Sequence, residues 1–320
     1  MATTFKKPDI AESDGIVLYC YPHNYYSQKA LIALHEKHLE FQVYTLDVAN
    51  GEQFSEWFIE MSPRGDIPVL QDGLFIIPET TKILYYLDHR YKVSENLLQN
   101  GGSEAHKFST LSAEKEENYR TRLDKMPVGA LTIGCFLHDK YCTKIKPPYL
   151  GPVRDALLAA DAQLVTELTN LAIYKPELHD FFQRKISKLQ RRRHVLMDEE
   201  NFKIILNSID SLLGDIEKDL RGNPWICGAH LTFLDISLGL FLQRIHMLGL
   251  EEYFWGKDKN RPRLEQYFTR FMERDSVKKS IPSSISTMKA IWGTIPSSYK
   301  YAVLAVGVSS VALASSVMLK

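Results

Sequence analysis

At 320 residues the chain is long enough for two domains, and 45% hydrophobic with 24% charged residues is the composition of a folded globular protein, not a disordered one. Its 39 cationic and 39 anionic residues cancel, so no overall field favours nucleic acid, and no base-reading motif is present. The four cysteines (Cys20, Cys135, Cys142 and Cys227) form no Cys-x-x-Cys pair. This spacing argues against a zinc site or a dithiol redox motif, so no metal is expected and reduced core thiols in a cytosol-facing protein are. The first residues, from Met1 to Pro8, hold no apolar run of the kind a signal peptide needs.

In chain order, residues 16–20 form a short β-rich run, residues 21–26 a loop, and residues 27–34 a helix that Ser27 is placed to cap. Residues 41–46 alternate as a strand, and residues 52–61 read as a short aromatic helix with Trp57 and Phe58. The most informative stretch is 62–80. Pro68 opens an apolar run to Leu70, as a proline can at the first position of a strand. Asp72-Gly73 then predicts a hairpin turn, residues 74–77 the return strand, and the spacing of Ile83, Leu84 and Leu87 a helix beginning near Thr80. Glu79 and Thr80 fall at that helix start, where backbone N–H groups and the helix dipole favour negative charge.

Helical spacing resumes over 103–126 and breaks at Pro127. Two further helical runs, 152–171 and 176–196, precede a strongly amphipathic helix over 202–220. The second run carries Arg184, Lys185, Lys188, Arg191, Arg192 and Arg193, six cations within ten residues. The plain reading is a solvated helix surface; the functional one is a basic face for a protein partner or an anionic lipid surface. Residues 223–228 form a turn around Trp225. Thr232 and Asp235 then have the spacing of a capping box, in which the Thr232 hydroxyl accepts from the Asp235 N–H and the carboxylate reaches back. That role is structural. Pro262 marks the first turn of one more helix.

Residues 301–319 contain no charge. As a helix they span roughly 28 Å, close to the hydrocarbon core of a bilayer. Lys300 and Lys320 bracket them, and Tyr299 and Tyr301 suit the interface. A single C-terminal membrane span over 299–320 is therefore expected, with residues 282–298 as a juxtamembrane connector and the bulk of the chain in the cytosol.

The order strand, helix, strand, helix, strand, strand, helix, with a proline opening the third strand, resembles the thioredoxin-like half of a glutathione transferase. That resemblance implies an α/β thioredoxin-like N-terminal domain over 16–96. It further implies an all-α C-terminal domain over 103–281, here with a long helical insertion at about 139–198. It implies glutathione as a ligand, with the Ile67 backbone before a cis Pro68 facing the cysteinyl part and Glu79 with Thr80 holding the γ-glutamyl end. The residues themselves establish no cofactor. In the family, the thiol-activating residue of serine-type and cysteine-type members aligns with Asn24, and that of tyrosine-type members with Tyr19. Ser27 is a further hydroxyl nearby.

A narrower resemblance rests on Ser27-Gln28-Lys29, Trp57-Phe58, residues 65–70, Tyr119-Arg120, residues 134–138, residues 225–228, residues 232–235, Trp255-Gly256 and Arg261-Pro262. In these motifs, and in its order of parts, the chain is similar to the ganglioside-induced differentiation-associated protein 1 family from about Val17 onward. That family implies a place in the mitochondrial outer membrane and roles in network shape, fission, organelle contacts and redox balance. It also implies protein partners reached through the insertion, and transferase folds commonly form homodimers. The chain departs from the family beyond the apolar segment, where it keeps only Lys320. Three functions stay open: an anchored regulator, an active anchored glutathione transferase, and a metabolite sensor using an altered pocket.

Overall fold

The computed structural model describes residues 5–12, 14–91, 111–256 and 258–294. The membrane span expected over 299–320, the last part of its connector, and the start of the helix expected from 103 lie outside the described residues. Among the described residues, no helix is long and apolar enough to cross a membrane.

Two compact units are present. Among the described residues, the first gathers those up to 126 with 211–243 and 260–282; the second gathers those in 127–210, 244–259 and 283–294. In the first unit, strands β1 (Ile16–Cys20), β2 (Phe41–Thr45), β3 (Val69–Asp72) and β4 (Phe75–Pro78) form one sheet in the order β2-β1-β3-β4. β1 runs parallel to β2 and antiparallel to β3, and β3 is antiparallel to β4. β1 is buried along its whole length, which explains its unbroken apolar sequence. β2, at the sheet edge, alternates only weakly and is half-exposed.

The hairpin differs by one residue from the sequence expectation. Asp72 pairs with Phe75, so the two-residue loop is Gly73-Leu74 instead of Asp72-Gly73. Gly73 takes φ +55°, which a glycine accepts without steric cost at the first loop position.

Helix α1 (Tyr25–Glu36) returns from β1, and α2 (Glu56–Met61) follows a separate 3-10 turn at Glu52–Phe54, so the predicted aromatic helix is two pieces. Trp57, Phe58 and Met61 pack with Val17, Tyr19, Leu46 and Val69 as a buried cluster under the sheet. Helix α3 (Thr80–Arg90) buries Ile83, Leu84 and Leu87. Helix α4 (Ala113–Asp124) starts at the Ser112 cap, whose hydroxyl accepts from the Lys115 N–H.

Between Leu137 and Glu199 the second unit carries the long segment the sequence sets apart. After α5 (Val128–Leu137) it forms a helical hairpin of α6 (Gly151–Tyr174) and α7 (His179–Met197), joined through a 3-10 turn at Pro176–Leu178. The unit also holds α10 (Glu251–Trp255) and α13 (Ser284–Thr294). Two helices contribute residues to both units: α8 (Glu199–Asp219) and α9 (Phe233–Met247). The first unit closes with α11 (Pro262–Met272) and α12 (Asp275–Ser280).

Two glycines mark close approaches, one in each unit. A Cβ on Gly239 would lie 2.4 Å from the Phe271 ring in the first unit, and one on Gly134 would lie 2.2 Å from the Phe202 ring in the second. In the first unit, the Arg274 guanidinium forks onto the Glu36 carboxylate at 2.5 and 2.6 Å, tying the end of α1 to the start of α12.

Candidate functional site

The candidate site lies where β3 meets α3 in the first unit. The Ile67–Pro68 peptide bond is cis, Ile67 is half-buried and Pro68 is buried. After β4 the chain reaches Glu79, the residue before α3, with φ +76° and ψ +122°. Non-glycine residues rarely take such a backbone, at a cost on the order of 1–3 kcal/mol, and strain of this kind collects where a side chain must be aimed. The Glu79 carboxylate makes no cap bond to its own helix. It faces Arg64 at 3.0 Å and Lys82 at 3.5 Å instead. Thr80 is the first residue of α3 and half-buried.

The start of α3 thus has the Glu79 carboxylate beside it, with the Arg64 guanidinium and the Lys82 ammonium on that carboxylate. The carboxylate can receive an ammonium group. The helix N–H groups and Arg64 can receive a carboxylate. Sequence reading missed Arg64; the signal was a lone cation four residues before the proline that opens the strand.

The three thiol-activation candidates are placed differently. Tyr19 is fully buried in β1, and its hydroxyl donates to Gln71 Oε1 at 2.9 Å. Its ring packs against Tyr44 and Trp57, and burial pushes its pKa up to about 12, so the phenol is held neutral. Ser27 is also fully buried, one turn into α1, where its hydroxyl accepts from the Tyr21 N–H at 3.3 Å. It is not the cap of that helix. Asn24 is: its side-chain oxygen accepts from the N–H groups of Tyr26 and Ser27 at 2.9 and 3.1 Å. The amide oxygen, which can satisfy two otherwise orphaned donors at once, takes the capping role from the hydroxyl. Asn24 is half-exposed.

One buried charge escaped the sequence reading. Lys29 in α1 is buried, 3.8 Å from Asp124 and with its ammonium 5.4 Å from the Tyr25 ring centre. Burial, only partly offset by Asp124, lowers its pKa to about 8. Asp124 and Thr81 line a cavity of about 40 Å³ between α3, α4 and the residues that open α9. That is room for a few water molecules.

The capping box at α9 departs from its expected wiring. Asp235 is fully buried, and its two oxygens each accept twice: Oδ2 from the Thr232 N–H and hydroxyl, both at 2.7 Å, and Oδ1 from the Ile226 N–H and the Tyr267 hydroxyl, both at 2.9 Å. The Thr232 hydroxyl thus donates to the carboxylate instead of accepting from the Asp235 N–H. A carboxylate buried this deeply draws in every available donor. Burial raises the Asp235 pKa and these bonds oppose the rise. Tyr267 is the member of this cluster that lies too far along the chain for spacing to reveal.

In the second unit the six cations of α7 do not share one face. A helix turns about 100° per residue, so Arg184, Lys188 and Arg191 fall on one arc and Arg193 on the opposite side. The first three are exposed. Arg192 is tied to Asp161 of α6, and the Lys185 ammonium lies over the Phe181 ring at 5.4 Å.

Comparison with known proteins gives this geometry a context. Residues 25–90 match the family model for the glutathione S-transferase N-terminal domain, and residues 190–270 match that for the C-terminal domain. The human ganglioside-induced differentiation-associated protein 1-like 1 is 26% identical over 300 residues, covering 90% of this chain and 78% of that protein. Among solved structures, the beta-etherase LigF from Sphingobium superposes with a TM-score of 0.60 at 20% identity, covering 83% of this chain and 98% of that one. Ure2p in complex with S-hexylglutathione gives a TM-score of 0.54 at 15% identity, covering 84% and 99%. The structural likenesses establish the glutathione transferase fold: a thioredoxin-like sheet domain followed by a helical one.

Proposed function

The chain belongs to the glutathione S-transferase-like family and is related to the ganglioside-induced differentiation-associated protein 1 proteins, and from that premise we propose that it is a membrane-anchored regulator, not a conjugating enzyme. The uncharged segment 301–319 holds it at the mitochondrial outer membrane. The transferase-like part acts there on network shape and fission by binding partners or ligands. The observation that carries this reading is the fate of the thiol-activating positions: Tyr19 and Ser27 are sealed in the core with partners of their own, and the Asn24 side chain is held at its own helix as the cap, its oxygen on the Tyr26 and Ser27 N–H groups. Turnover needs a donor aimed at the glutathione sulfur. Binding needs only the other half of the site, and Ile67, Glu79, Thr80 and Arg64 supply a place for an amino-acid-like end. The exposed row Arg184, Lys188 and Arg191 offers the partner-facing surface.

The test compares the full chain with one ending at Ser298 in cells that lack the protein, scoring organelle and network shape together. The full chain restores network shape and the shortened chain does not. Rapid conjugation of glutathione to an electrophile by the full chain in detergent, abolished by Tyr19→Phe or Asn24→Ala, overturns the regulator reading in favour of an anchored transferase. Ligand-dependent stabilisation without turnover supports a sensing role for the same site.

A further inference from the structure

Cys135 and Cys142 were set aside above as separate core thiols because no short cysteine motif joins them. The fold brings them together. Cys135 lies near the end of α5, and the chain then turns through His138 and a 3-10 turn at Asp139–Tyr141 before reaching Cys142. That turn is pinned on both sides. His138 Nε2 lies 2.8 Å from the Leu196 carbonyl oxygen, and Arg154 Nη1 donates to Asp139 at 2.8 Å. Immediately after it, the Thr143 N–H donates to the Gly249 carbonyl at 2.8 Å and the Lys146 N–H to the Met247 carbonyl at 3.1 Å. The Cys142 side chain is thereby folded back onto α5, its sulfur 4.0 Å from the carbonyl oxygen of Cys135. Both thiols are free.

We propose that Cys135 and Cys142 form a redox-active dithiol that exchanges with a low-molecular-weight disulfide of the glutathione disulfide class, closing reversibly into an intramolecular disulfide. The two cysteines have unequal exposure, which assigns their roles. Cys142 is half-buried and reachable; Cys135 is buried. The neighbouring Cys135 thiol lowers the Cys142 pKa against burial and the Asp139 charge, with the Arg154 charge helping, whereas burial raises that of Cys135. Cys142 is therefore the attacking thiol and Cys135 the resolving one.

In the first step the Cys142 thiolate attacks one sulfur of the small disulfide. A sulfur–sulfur bond to Cys142 forms, the original one breaks, and the leaving thiolate takes up the proton that Cys142 released. In the second step Cys135 gives up its proton and attacks the Cys142 sulfur, displacing the second small thiol. Two electrons pass from the protein pair to the small disulfide, which leaves as two thiols. Cys20 is sealed in β1 with its pKa pushed up to about 12, and Cys227 is buried beside the Thr232 hydroxyl.

The closed disulfide would join the end of α5 to the stretch that leads into α6. It would thus stiffen the base of the α6–α7 hairpin, so the redox state of the surrounding thiol pool would be written into the long insertion.

The experiment uses the full chain in detergent, reduced and then equilibrated with glutathione disulfide over a range of glutathione ratios. Free thiols are alkylated and the protein is digested with trypsin without reduction. Cleavage after Lys125, Lys140 and Lys144 places the two cysteines on separate peptides, 126–140 and 141–144. The expected result is that these two peptides appear joined, lighter by two hydrogens, and separate again on reduction. Cys142→Ser abolishes the joined species, Cys135→Ser leaves a glutathione adduct on Cys142, and Cys20→Ser changes nothing. Wild-type protein in which Cys142 is alkylated as a free thiol at every ratio, or which stops at the glutathione adduct with Cys135 still reduced, overturns the proposal without reliance on any variant.

Discussion

Asp235→Ala strips four hydrogen bonds from one buried point. One of the abandoned donors, the Ile226 N–H, is on a residue buried from water and is stranded at a cost of about 1–3 kcal/mol, whereas the buried Tyr267 hydroxyl keeps the backbone carbonyl of residue 235 at 3.2 Å as an acceptor. The Thr232 donors are on a half-exposed residue and rehydrate. Relief of the buried carboxyl, whose pKa burial raises, offsets part of the loss. The net expectation is a destabilisation of roughly 1–4 kcal/mol, or a melting temperature lower by about 3–12 °C. Asp235→Asn refines the test. Each oxygen of the native carboxylate accepts one backbone N–H and one hydroxyl. An amide keeps one acceptor, and hydroxyls can turn away while a backbone N–H cannot, so whichever way the amide lies about 1–3 kcal/mol is lost. Urea unfolding followed by tryptophan fluorescence should rank wild type above Asn and Asn above Ala. An alanine variant within about 1 kcal/mol of wild type would refute the reading of Asp235 as the joint of this region.

Three further outcomes are expected. Lys29 has its pKa lowered from 10.5 to about 8 by burial, so the unfolded chain binds more protons between those values and stability should rise with pH from about 8 to about 10.5, by on the order of 3 kcal/mol; in Lys29→Met that rise disappears and the melting temperature at pH 7 increases. Gly239→Ala places a methyl 2.4 Å from the Phe271 ring and should cost roughly 1–3 kcal/mol or more by thermal unfolding, with partial rescue in the Gly239→Ala, Phe271→Leu double variant. Glu79→Gly relieves the φ +76° backbone and should raise stability by about 1 kcal/mol in urea while weakening any glutathione binding seen by calorimetry; a stability loss would mean the Arg64 contact outweighs the strain.

What the sequence made legible follows from the range of the interaction. The β1 run, the hairpin around Gly73 and the helix at Thr80 are set by neighbours a few residues apart, and periodicity with turn chemistry locates them to within a residue or two. Ile67, Pro68, Glu79 and Thr80 are singled out as a site by the resemblance to glutathione transferases and not by these local rules. The local rules misassign detail where several groups compete for one role: Asn24 and Ser27 both suit a helix cap, and only the fold shows Ser27 turned inward to the Tyr21 N–H. Long-range partners were out of reach. Gln71 silencing the Tyr19 hydroxyl, Tyr267 completing the Asp235 cluster and Asp161 withdrawing Arg192 from the basic row each join residues far apart in the chain. Cys135 and Cys142 are close in sequence, yet their spacing matches no local motif, and a pinned turn is what joins them.

The central claim is that a transferase-like protein works from a membrane through residues 301–319. Alkaline carbonate extraction of mitochondria from cells expressing the full chain tests it most directly. The full chain should remain in the membrane pellet while a chain ending at Ser298 is washed out; full-length protein released into the supernatant alongside the shortened one would contradict it.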